Sequence, residues 1–279
     1  MGRLSEDFTA FKDVGGFREY LFRRYQKCQK EKEDTILVVV GGERKGKTTL
    51  GLRIKYDLEP DKCYVDKKPD TKDICMSGDQ YLRWMALNEK TVGQFDEAGT
   101  ALFSRDAMSP VLKRIYKKLL VCGYKYLFHI ICIQDFFDLD KKIRMRRLSA
   151  LIRITDKGKF LAYNRDNAIK IGRACSWNAG RPTSKGWWPG NEKNKQYRVF
   201  DNAYRKVEKS YKDKYMKDDI DLEEEKDEYL TLPQAAKLLG VARVTVHAWI
   251  SKGKLKAYHV NNIKRVLKKD IQKLTDIAI

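Results

Sequence analysis

The chain has 279 residues, of which 42% are hydrophobic and 11% aromatic. At roughly 100–200 residues per domain, this length predicts one large domain with a small one, or two medium domains, and the composition excludes a wholly disordered chain. The 58 basic and 38 acidic residues give a net charge of +20, which favours a polyanionic partner.

The N-terminal segment, residues 1–33, is predicted to be a basic helical arm. Phe17, Leu21 and Tyr25 recur near helical spacing, and arginine and lysine residues surround them. Packing against the next domain is the favoured role for this arm, and contact with DNA is the alternative.

Residues 34–180 are predicted to form an α/β domain. Strands are expected at Ile36–Val40, Cys63–Val65, Thr91–Phe95 and Tyr126–Ile133, and helices at Thr48–Tyr56, Asp79–Leu87 and Pro110–Val121. Two further strands, Ala150–Thr155 and Phe160–Tyr163, indicate a hairpin. Strands that alternate with helices are typical of a domain with a mainly parallel central sheet.

Residues 181–228 are predicted to be a charged connector. The first part is rich in glycine, proline and polar residues, and the second part is highly charged and ends acidic. Trp187 and Trp188 lie in this segment, where packing on the domain surface is favoured over stacking on nucleic-acid bases.

Residues 229–279 are predicted to form a small winged helix-turn-helix domain at the C-terminal end. Pro233 opens a short helix that ends at Gly240, and a second helix follows over Arg243–Ile250. A basic hairpin around Asn261-Asn262 would form the wing. This segment holds ten Lys or Arg and two Asp, and the resulting net charge of +8 supports contact with DNA phosphates.

A glycine-rich motif follows the first buried strand and opens the first helix of the α/β domain. It matches the pattern G-x-x-x-x-G-K-[ST] in full and in the context that this motif requires. The backbone N–H groups of such a loop point at phosphate oxygens, and the helix N-terminus adds a favourable dipole. The predicted nucleotide-binding residues are Gly41, Gly42, Glu43, Arg44, Lys45, Gly46, Lys47, Thr48 and Thr49.

The expected cofactors of this site are ATP and Mg²⁺. Lys47 is predicted to reach the β- and γ-phosphates, and the Thr48 hydroxyl is predicted to bind Mg²⁺. Asp96 and Glu97 follow a predicted strand, so Asp96 would hold the Mg²⁺ shell and Glu97 would act as general base on the attacking water. Gln134 ends another buried strand, and the loops after these three strands can therefore converge on one γ-phosphate. Lys47, Glu97 and Gln134 are the predicted catalytic residues.

Residues 35–165 resemble the FtsK/HerA branch of P-loop ATPases, which includes viral DNA-packaging and zonula-occludens-toxin-like motors. The resemblance rests on the motifs GGERKGKTT, FDEAG and IICIQDFFDLDKKIR. It implies a ring-forming ATPase that moves double-stranded DNA. The sequence departs from this branch in one feature. Members of the branch usually carry an arginine near the start of the strand that precedes Gln134, and this arginine acts on the nucleotide of the neighbouring subunit. No arginine stands at that place in this sequence. Arg105, Lys125 and Arg144 are the candidates for that role.

Residues 229–279 resemble the MerR/excisionase-type winged helix-turn-helix family. The resemblance implies that the second helix lies in the major groove of double-stranded DNA. The predicted DNA-binding residues are Arg243, Thr245, His247, Lys252, Lys254, Lys264 and Arg265.

These features favour three functions to different degrees. The leading prediction is an ATP-driven DNA translocase or DNA-packaging ATPase of a virus or mobile element. The alternative is an ATP-switched DNA-binding regulator or partition-type protein without translocation. A nucleotide or small-molecule kinase is disfavoured by the net charge and by the lack of an obvious lid or acceptor site. No apolar run approaches the ~18–20 residues of a membrane span, and the N-terminus has no apolar signal core, so a cytoplasmic location is predicted, in the host cell if the protein is viral.

Overall fold

The computed structural model describes residues 11–30, 33–103, 109–188, 194–224, 229–260, 263–267 and 270–271 of the chain. Two compact units divide the chain, Met1–Tyr211 and Lys212–Ile279. Each unit buries a hydrophobic core of its own.

The first unit is built on a large mixed sheet. Its strands are β1 (Lys12–Val14), β2 (Thr35–Val40), β3 (Tyr64–Val65), β4 (Lys68–Pro69), β5 (Ile74–Cys75), β6 (Val92–Phe95), β7 (Phe128–Ile133), β8 (Ala150–Asp156), β9 (Lys159–Asn164) and β10 (Ser184–Trp187). Strands β3 and β4 pair separately, and the other eight follow the order β1-β10-β9-β8-β2-β7-β6-β5. The five strands β8, β2, β7, β6 and β5 are parallel, whereas β9, β10 and β1 extend the sheet in antiparallel pairs. The predicted α/β fold with a mainly parallel central sheet is confirmed.

Helices cover both faces of this sheet. They are α1 (Phe17–Lys30), α2 (Lys47–Leu58), α3 (Gly78–Leu87), α4 (Gly99–Leu102), α5 (Pro110–Val121), α6 (Arg165–Ala174) and α7 (Lys195–Glu224). Successive side chains of a strand point to opposite faces, so a continuous apolar strand needs cover on both sides. In β2, Val38 packs into a core shared with α3, α5 and α6, and Val39 packs into a core shared with α1 and α2.

The described part of the predicted N-terminal arm belongs to this unit. Phe17, Leu21 and Cys28 of α1 are buried against the sheet, and β1 pairs with β10. This placement agrees with the packing role that the sequence favoured.

The segment 181–228 differs from its prediction as a connector. Its first part contributes β10 to the sheet, and its second part forms the long helix α7. Tyr197, Phe200 and Tyr204 of α7 are buried in a cluster with side chains of α2, so the burial of three aromatic side chains outweighs the polar composition around them. The compact unit therefore extends to Tyr211 rather than to residue 180.

The second unit contains a three-stranded sheet and two helices. Its elements are β11 (Tyr229–Thr231), α8 (Leu232–Leu239), α9 (Arg243–Ser251), β12 (Tyr258–Val260) and β13 (Ile263–Leu267), and the strand order is β11-β13-β12. Thr231 and Gln234 form a capping box at the start of α8, and Gly240 takes a φ of +64° at its end. Helices α8 and α9 with the β12–β13 hairpin match the predicted helix-turn-helix and wing.

A buried polar cluster lies at the amino ends of the parallel strands. Asp34, directly before β2, is ion-paired with Arg147, and its carboxylate lies 4.0 Å from the Cys122 sulfur. His129 in β7 contacts the Tyr81 hydroxyl through Nδ1 at 2.7 Å, and its Nε2 is buried without a partner. Burial lowers the pKa of His129 to about 3, so the ring is neutral near pH 7. Asp34, Cys122 and His129 each offer a metal-ligand atom within 4.8 Å of the others, but the Arg147 guanidinium already supplies the cation beside this carboxylate.

Candidate nucleotide site and DNA-binding domain

The glycine-rich loop joins β2 to α2 at the carboxyl edge of the parallel strands. The backbone N–H of Gly41 donates to the carbonyl of Gln134 at 3.1 Å, which ties the loop to the end of the neighbouring strand β7. Gly46 has a φ of +95°, a conformation that favours glycine, and α2 begins at the next residue. The Lys47 ammonium donates to the carbonyl oxygens of Gly41 at 2.8 Å and Gly42 at 3.0 Å. A cationic side chain and a helix N-terminus therefore face the same loop, as phosphate binding requires.

The other loop residues have less uniform surroundings. Glu43 and Arg44 are exposed, and Arg44 also has a positive φ of 56°. Lys45 donates to the carbonyl of Thr155 at 2.8 Å, so it ties the loop to β8. The Lys45 side chain therefore stabilises the position of the loop by a contact within the same chain.

The two predicted magnesium ligands lie next to each other. The Thr48 hydroxyl, in the first turn of α2, donates to Asp96 Oδ2 at 3.0 Å. Asp96 follows β6 directly and is buried. Hydroxyl and carboxylate oxygens are the hard ligands that Mg²⁺ prefers, so this pair fits a magnesium shell.

Gln94 and Gly93 interrupt the apolar pattern of β6 for reasons that the structure supplies. Gln94 is fully buried and donates from Nε2 to Asp96 Oδ1 at 2.9 Å, so it fixes the carboxylate that follows the strand. Gly51 of α2 leaves room for it, because a Cβ there would lie 2.7 Å from Gln94 Oε1. At Gly93 a Cβ would lie 2.2 Å from the Trp84 ring, so only glycine fits beside that indole. The irregular residues of β6 are therefore required by the site and by the packing.

Glu97 and Gln134 lie in loops at the same edge of the sheet. Glu97 is half-buried and follows Asp96 in the chain, and the next residue, Ala98, donates from its N–H to the Cys132 carbonyl at 3.2 Å. Gln134 is exposed, and its side-chain amide approaches Glu43 Oε1 at 3.5 Å. The strand order places β7 between β2 and β6, so the loops after these three strands are neighbours. This arrangement brings Glu97 and Gln134 to the edge where the glycine-rich loop lies, and their catalytic roles stay predictions.

Two residues of α7 reach this site and were not predicted. The Tyr204 hydroxyl donates to Asp96 Oδ2 at 2.5 Å, and Arg205 Nη2 donates to the Thr49 hydroxyl at 2.8 Å. Burial, followed by the neighbouring Asp96 carboxylate, raises the pKa of Tyr204 far above its ordinary value, so the phenol keeps its proton and acts as a donor. Tyr197, Phe200 and Tyr204 recur at helical spacing, and that stripe was the available signal for a packed helix here.

The three candidates for a residue that acts on a neighbouring subunit have different surroundings. Arg105 lies outside the described residues. Lys125 donates from its ammonium to the carbonyl of Ala86 at 2.5 Å. Arg144 is buried, and its guanidinium donates to the carbonyl of Phe137 at 3.2 Å, which braces the loop after β7 within the same chain. A buried guanidinium that is engaged in this way does not favour Arg144 as a residue that reaches another subunit.

The predicted DNA-binding side chains lie on α9 and around the wing. Val246 of α9 is buried in the core of the second unit, which turns the neighbouring positions of the helix outwards. Thr245 and Arg265 are half-buried, and the remaining predicted contacts are exposed: Arg243, His247, Lys252, Lys254 and Lys264. Val244 was not predicted, but its side chain is 77% exposed in the first turn of α9, where an apolar group can contact a thymine methyl.

Comparisons with known proteins give a family for the C-terminal segment and structural similarity for part of the chain. A family model described as a helix-turn-helix domain matches residues 229–275. Among curated proteins, no sequence match was found. Two solved structures are similar to part of the chain. One is the genome packaging NTPase B204 from Sulfolobus turreted icosahedral virus 2 in complex with AMPPCP, with 14% identity, coverage of 57% of this chain and 99% of that one, and a TM-score of 0.39. The other is the N-terminal domain of zonular occludens toxin from Neisseria meningitidis, with 14% identity, coverage of 61% and 98%, and a TM-score of 0.40.

The sheet, the complete phosphate-binding loop and the acidic residues beside it define a P-loop NTPase fold. Residues 229–275 form a helix-turn-helix domain in the same chain. A DNA-associated NTPase is the class that these features describe. None of the described helices is long and apolar enough to cross a membrane.

Proposed function

We propose that this protein is an ATP-driven DNA translocase or DNA-packaging ATPase of a virus or mobile element, recruited to DNA by its helix-turn-helix domain. The observation that carries the proposal is the convergence of Lys47, Thr48 and Asp96 at one edge of the sheet, in a chain that also holds a DNA-binding domain. A net charge of +20 supports a polyanionic substrate such as duplex DNA.

In the proposed reaction the residues of this chain bind and orient ATP and the attacking water. Bound Mg²⁺ would supply charge neutralisation between the β- and γ-phosphates, held by Thr48 and by Asp96. Lys47 exchanges its two loop carbonyls for phosphate oxygens, because the anionic acceptor makes the stronger hydrogen bond. Glu97 takes a proton from the attacking water as general base, and Gln134 orients that water beside the γ-phosphate.

The DNA would be held first by the second unit. The exposed residues Arg243 and His247 of α9 would face base edges, and the exposed lysines Lys252, Lys254 and Lys264 would neutralise phosphates. A ring of several copies is proposed for movement along the duplex. Lys125 is then the described candidate for contact with the neighbouring nucleotide, although lysine lacks the planar fork of arginine.

A second candidate is an ATP-switched DNA-binding regulator that does not translocate. The contact between Tyr204 of α7 and Asp96 favours it, because a helix that is bound to the nucleotide site can change position when the nucleotide binds. In a switch, such a helix would report the bound nucleotide without continuous movement.

The test is DNA-stimulated ATP hydrolysis by the full chain. Lys47→Ala should abolish hydrolysis while DNA binding is retained, and Glu97→Gln should bind ATP but hydrolyse it at least about a hundredfold more slowly. Turnover at the wild-type rate in either variant contradicts the role assigned to that residue.

Movement separates the two candidates. A translocase displaces a triplex-forming strand from duplex DNA in the presence of ATP, and Glu97→Gln serves as the control that binds but does not move. A regulator changes its DNA affinity with nucleotide and leaves the third strand in place.

A further inference from the structure

One oxygen of the Asp96 carboxylate, Oδ2, already accepts as many hydrogen bonds as it can hold. Oδ2 accepts from Thr48 and from Tyr204, and Oδ1 accepts from Gln94. Each carboxylate oxygen has about two lone-pair sites, so Thr48 and Tyr204 fill those of Oδ2.

A magnesium shell at this site needs one of those lone pairs. Gln94 donates to the other oxygen, Oδ1, from inside strand β6, and it is buried. Thr48 is itself a predicted ligand of the ion and stays beside Asp96. Tyr204 is the donor to Oδ2 that comes from outside the sheet and the phosphate-binding loop, on the separate helix α7.

We propose that Tyr204 is a positioning residue that occupies the magnesium side of Asp96 and is displaced when the magnesium–nucleotide complex binds. The inference rests on the proposed nucleotide site. It assigns a function to the 2.5 Å contact between Tyr204 and Oδ2: this contact holds α7 against Asp96, and binding of the magnesium–nucleotide complex would partly release the helix.

Other contacts keep α7 in place when this bond breaks. Arg205 donates to the Thr49 hydroxyl of α2 at 2.8 Å. Tyr197 packs edge-on against Tyr56 of α2, with 5.4 Å between ring centroids. Loss of the Tyr204 hydrogen bond therefore loosens the contact of α7 with the site without unfolding the helix.

The first experiment measures magnesium affinity rather than turnover. The full chain is mixed with a fluorescent, non-hydrolysable ATP analogue and titrated with Mg²⁺, using wild type, Tyr204→Phe and Tyr211→Phe. Tyr211 lies two turns further along α7 and packs against the same aromatic cluster, so it is a matched control for loss of a hydroxyl. A hydrogen bond to a charged group is worth enough that Tyr204→Phe should bind Mg²⁺ about tenfold more tightly, whereas Tyr211→Phe should match wild type.

Each result decides between the proposals. Equal or weaker Mg²⁺ binding in Tyr204→Phe, with normal nucleotide binding that Lys47→Ala abolishes, overturns the displacement of Tyr204 and leaves the nucleotide site standing. Nucleotide binding that is absent in wild type, or unaffected in Lys47→Ala, overturns the nucleotide site and the displacement together.

A second measurement follows the helix itself. Amide hydrogen exchange over residues 195–211 should speed up in wild type when Mg²⁺ and the analogue are added. In Tyr204→Phe it should already be fast without Mg²⁺ and change little on addition. Exchange in wild type that stays constant while Mg²⁺-dependent binding occurs contradicts the release of α7.

Discussion

A buried ion pair joins the helix of the phosphate-binding loop to the strands that carry Asp96, and its removal is the most informative test of the fold. Lys55 of α2 donates to Asp73 Oδ2 at 3.1 Å and to the carbonyl of Val92 in β6 at 2.7 Å. The side chains of Lys55 and Asp73 are 0% and 4% exposed. Asp73 Oδ1 also accepts from the Trp84 indole at 3.0 Å.

The expected loss of stability in Lys55→Met follows from the Asp73 carboxylate, which stays buried after its partner is removed. Methionine is close in volume to lysine and fills the site, so the main loss is the charge partner of Asp73. Removal of one partner of a buried ion pair costs roughly 3–5 kcal/mol, because the other charge stays buried without compensation. A domain is stable by only about 5–15 kcal/mol, so the variant should be close to unfolding at 37 °C.

The assay is urea-induced unfolding of the full chain, read as the free energy of unfolding of the first unit. Adding Asp73→Asn to Lys55→Met removes the orphaned charge and leaves an acceptor for Trp84, so the double variant should recover about 2 kcal/mol relative to Lys55→Met. The control is Lys72→Met, which breaks an ion pair with Asp70 at 2.9 Å in which the side chains are 63% and 16% exposed, and should cost less than about 1 kcal/mol. A cost below 1 kcal/mol for Lys55→Met, or no recovery in the double variant, would refute this reasoning.

Further predictions concern acid stability, strand packing and DNA contact. Burial lowers the pKa of His129 from 6.5 to about 3, so the contribution of the neutral ring to stability is fully present above pH 6.5 and is lost as the pH falls towards 3. At pH 5 the loss in the free energy of unfolding is about 2 kcal/mol. His129→Asn should therefore flatten the pH dependence of the free energy of unfolding between pH 6.5 and 4. Gly93→Ala should lower the melting temperature by several degrees, because its Cβ would lie 2.2 Å from the Trp84 ring, and an unchanged melting temperature contradicts that clash. Lys264→Ala should weaken DNA binding equally for all sequences and reduce the slope of log affinity against log salt concentration by about 1. Arg243→Ala should cost about 1–3 kcal/mol of binding free energy and relax the preference for one DNA sequence. Competition binding at several salt concentrations distinguishes the two variants.

The parallel core and the nucleotide loop were predictable because local sequence determines them. The apolar run of β2 needs cover on both faces, and the helix Pro110–Val121 carries its proline in the first turn, so each pattern points to one structure. The helix-turn-helix domain was equally clear, since Gly240 sits where a left-handed residue ends α8.

The segment after residue 180 was not predictable in the same way. The strand β10, with the sequence Ser-Lys-Gly-Trp, has no apolar alternation and lies in the sheet because β9 and β1 supply its partners. Helix α7 is mostly charged, and its buried residues are separated by polar ones, so composition indicated a connector. Pairing with distant strands determines β10, and burial of a narrow aromatic stripe determines α7. Local composition shows neither the pairing nor the burial.

The environment of Asp96 explains why motifs alone describe this site incompletely. The motif places Thr48 and Asp96 together, but two further donors come from Gln94 and Tyr204, and Tyr204 lies more than a hundred residues away in the chain. A carboxylate held by three donors has a fixed orientation. Gln94 lies in the strand that leads to Asp96, where its polar side chain interrupts the apolar pattern, and Tyr204 lies on a helix outside the phosphate-binding loop. Two of the residues that orient this carboxylate are therefore identified from the folded chain and not from the motif.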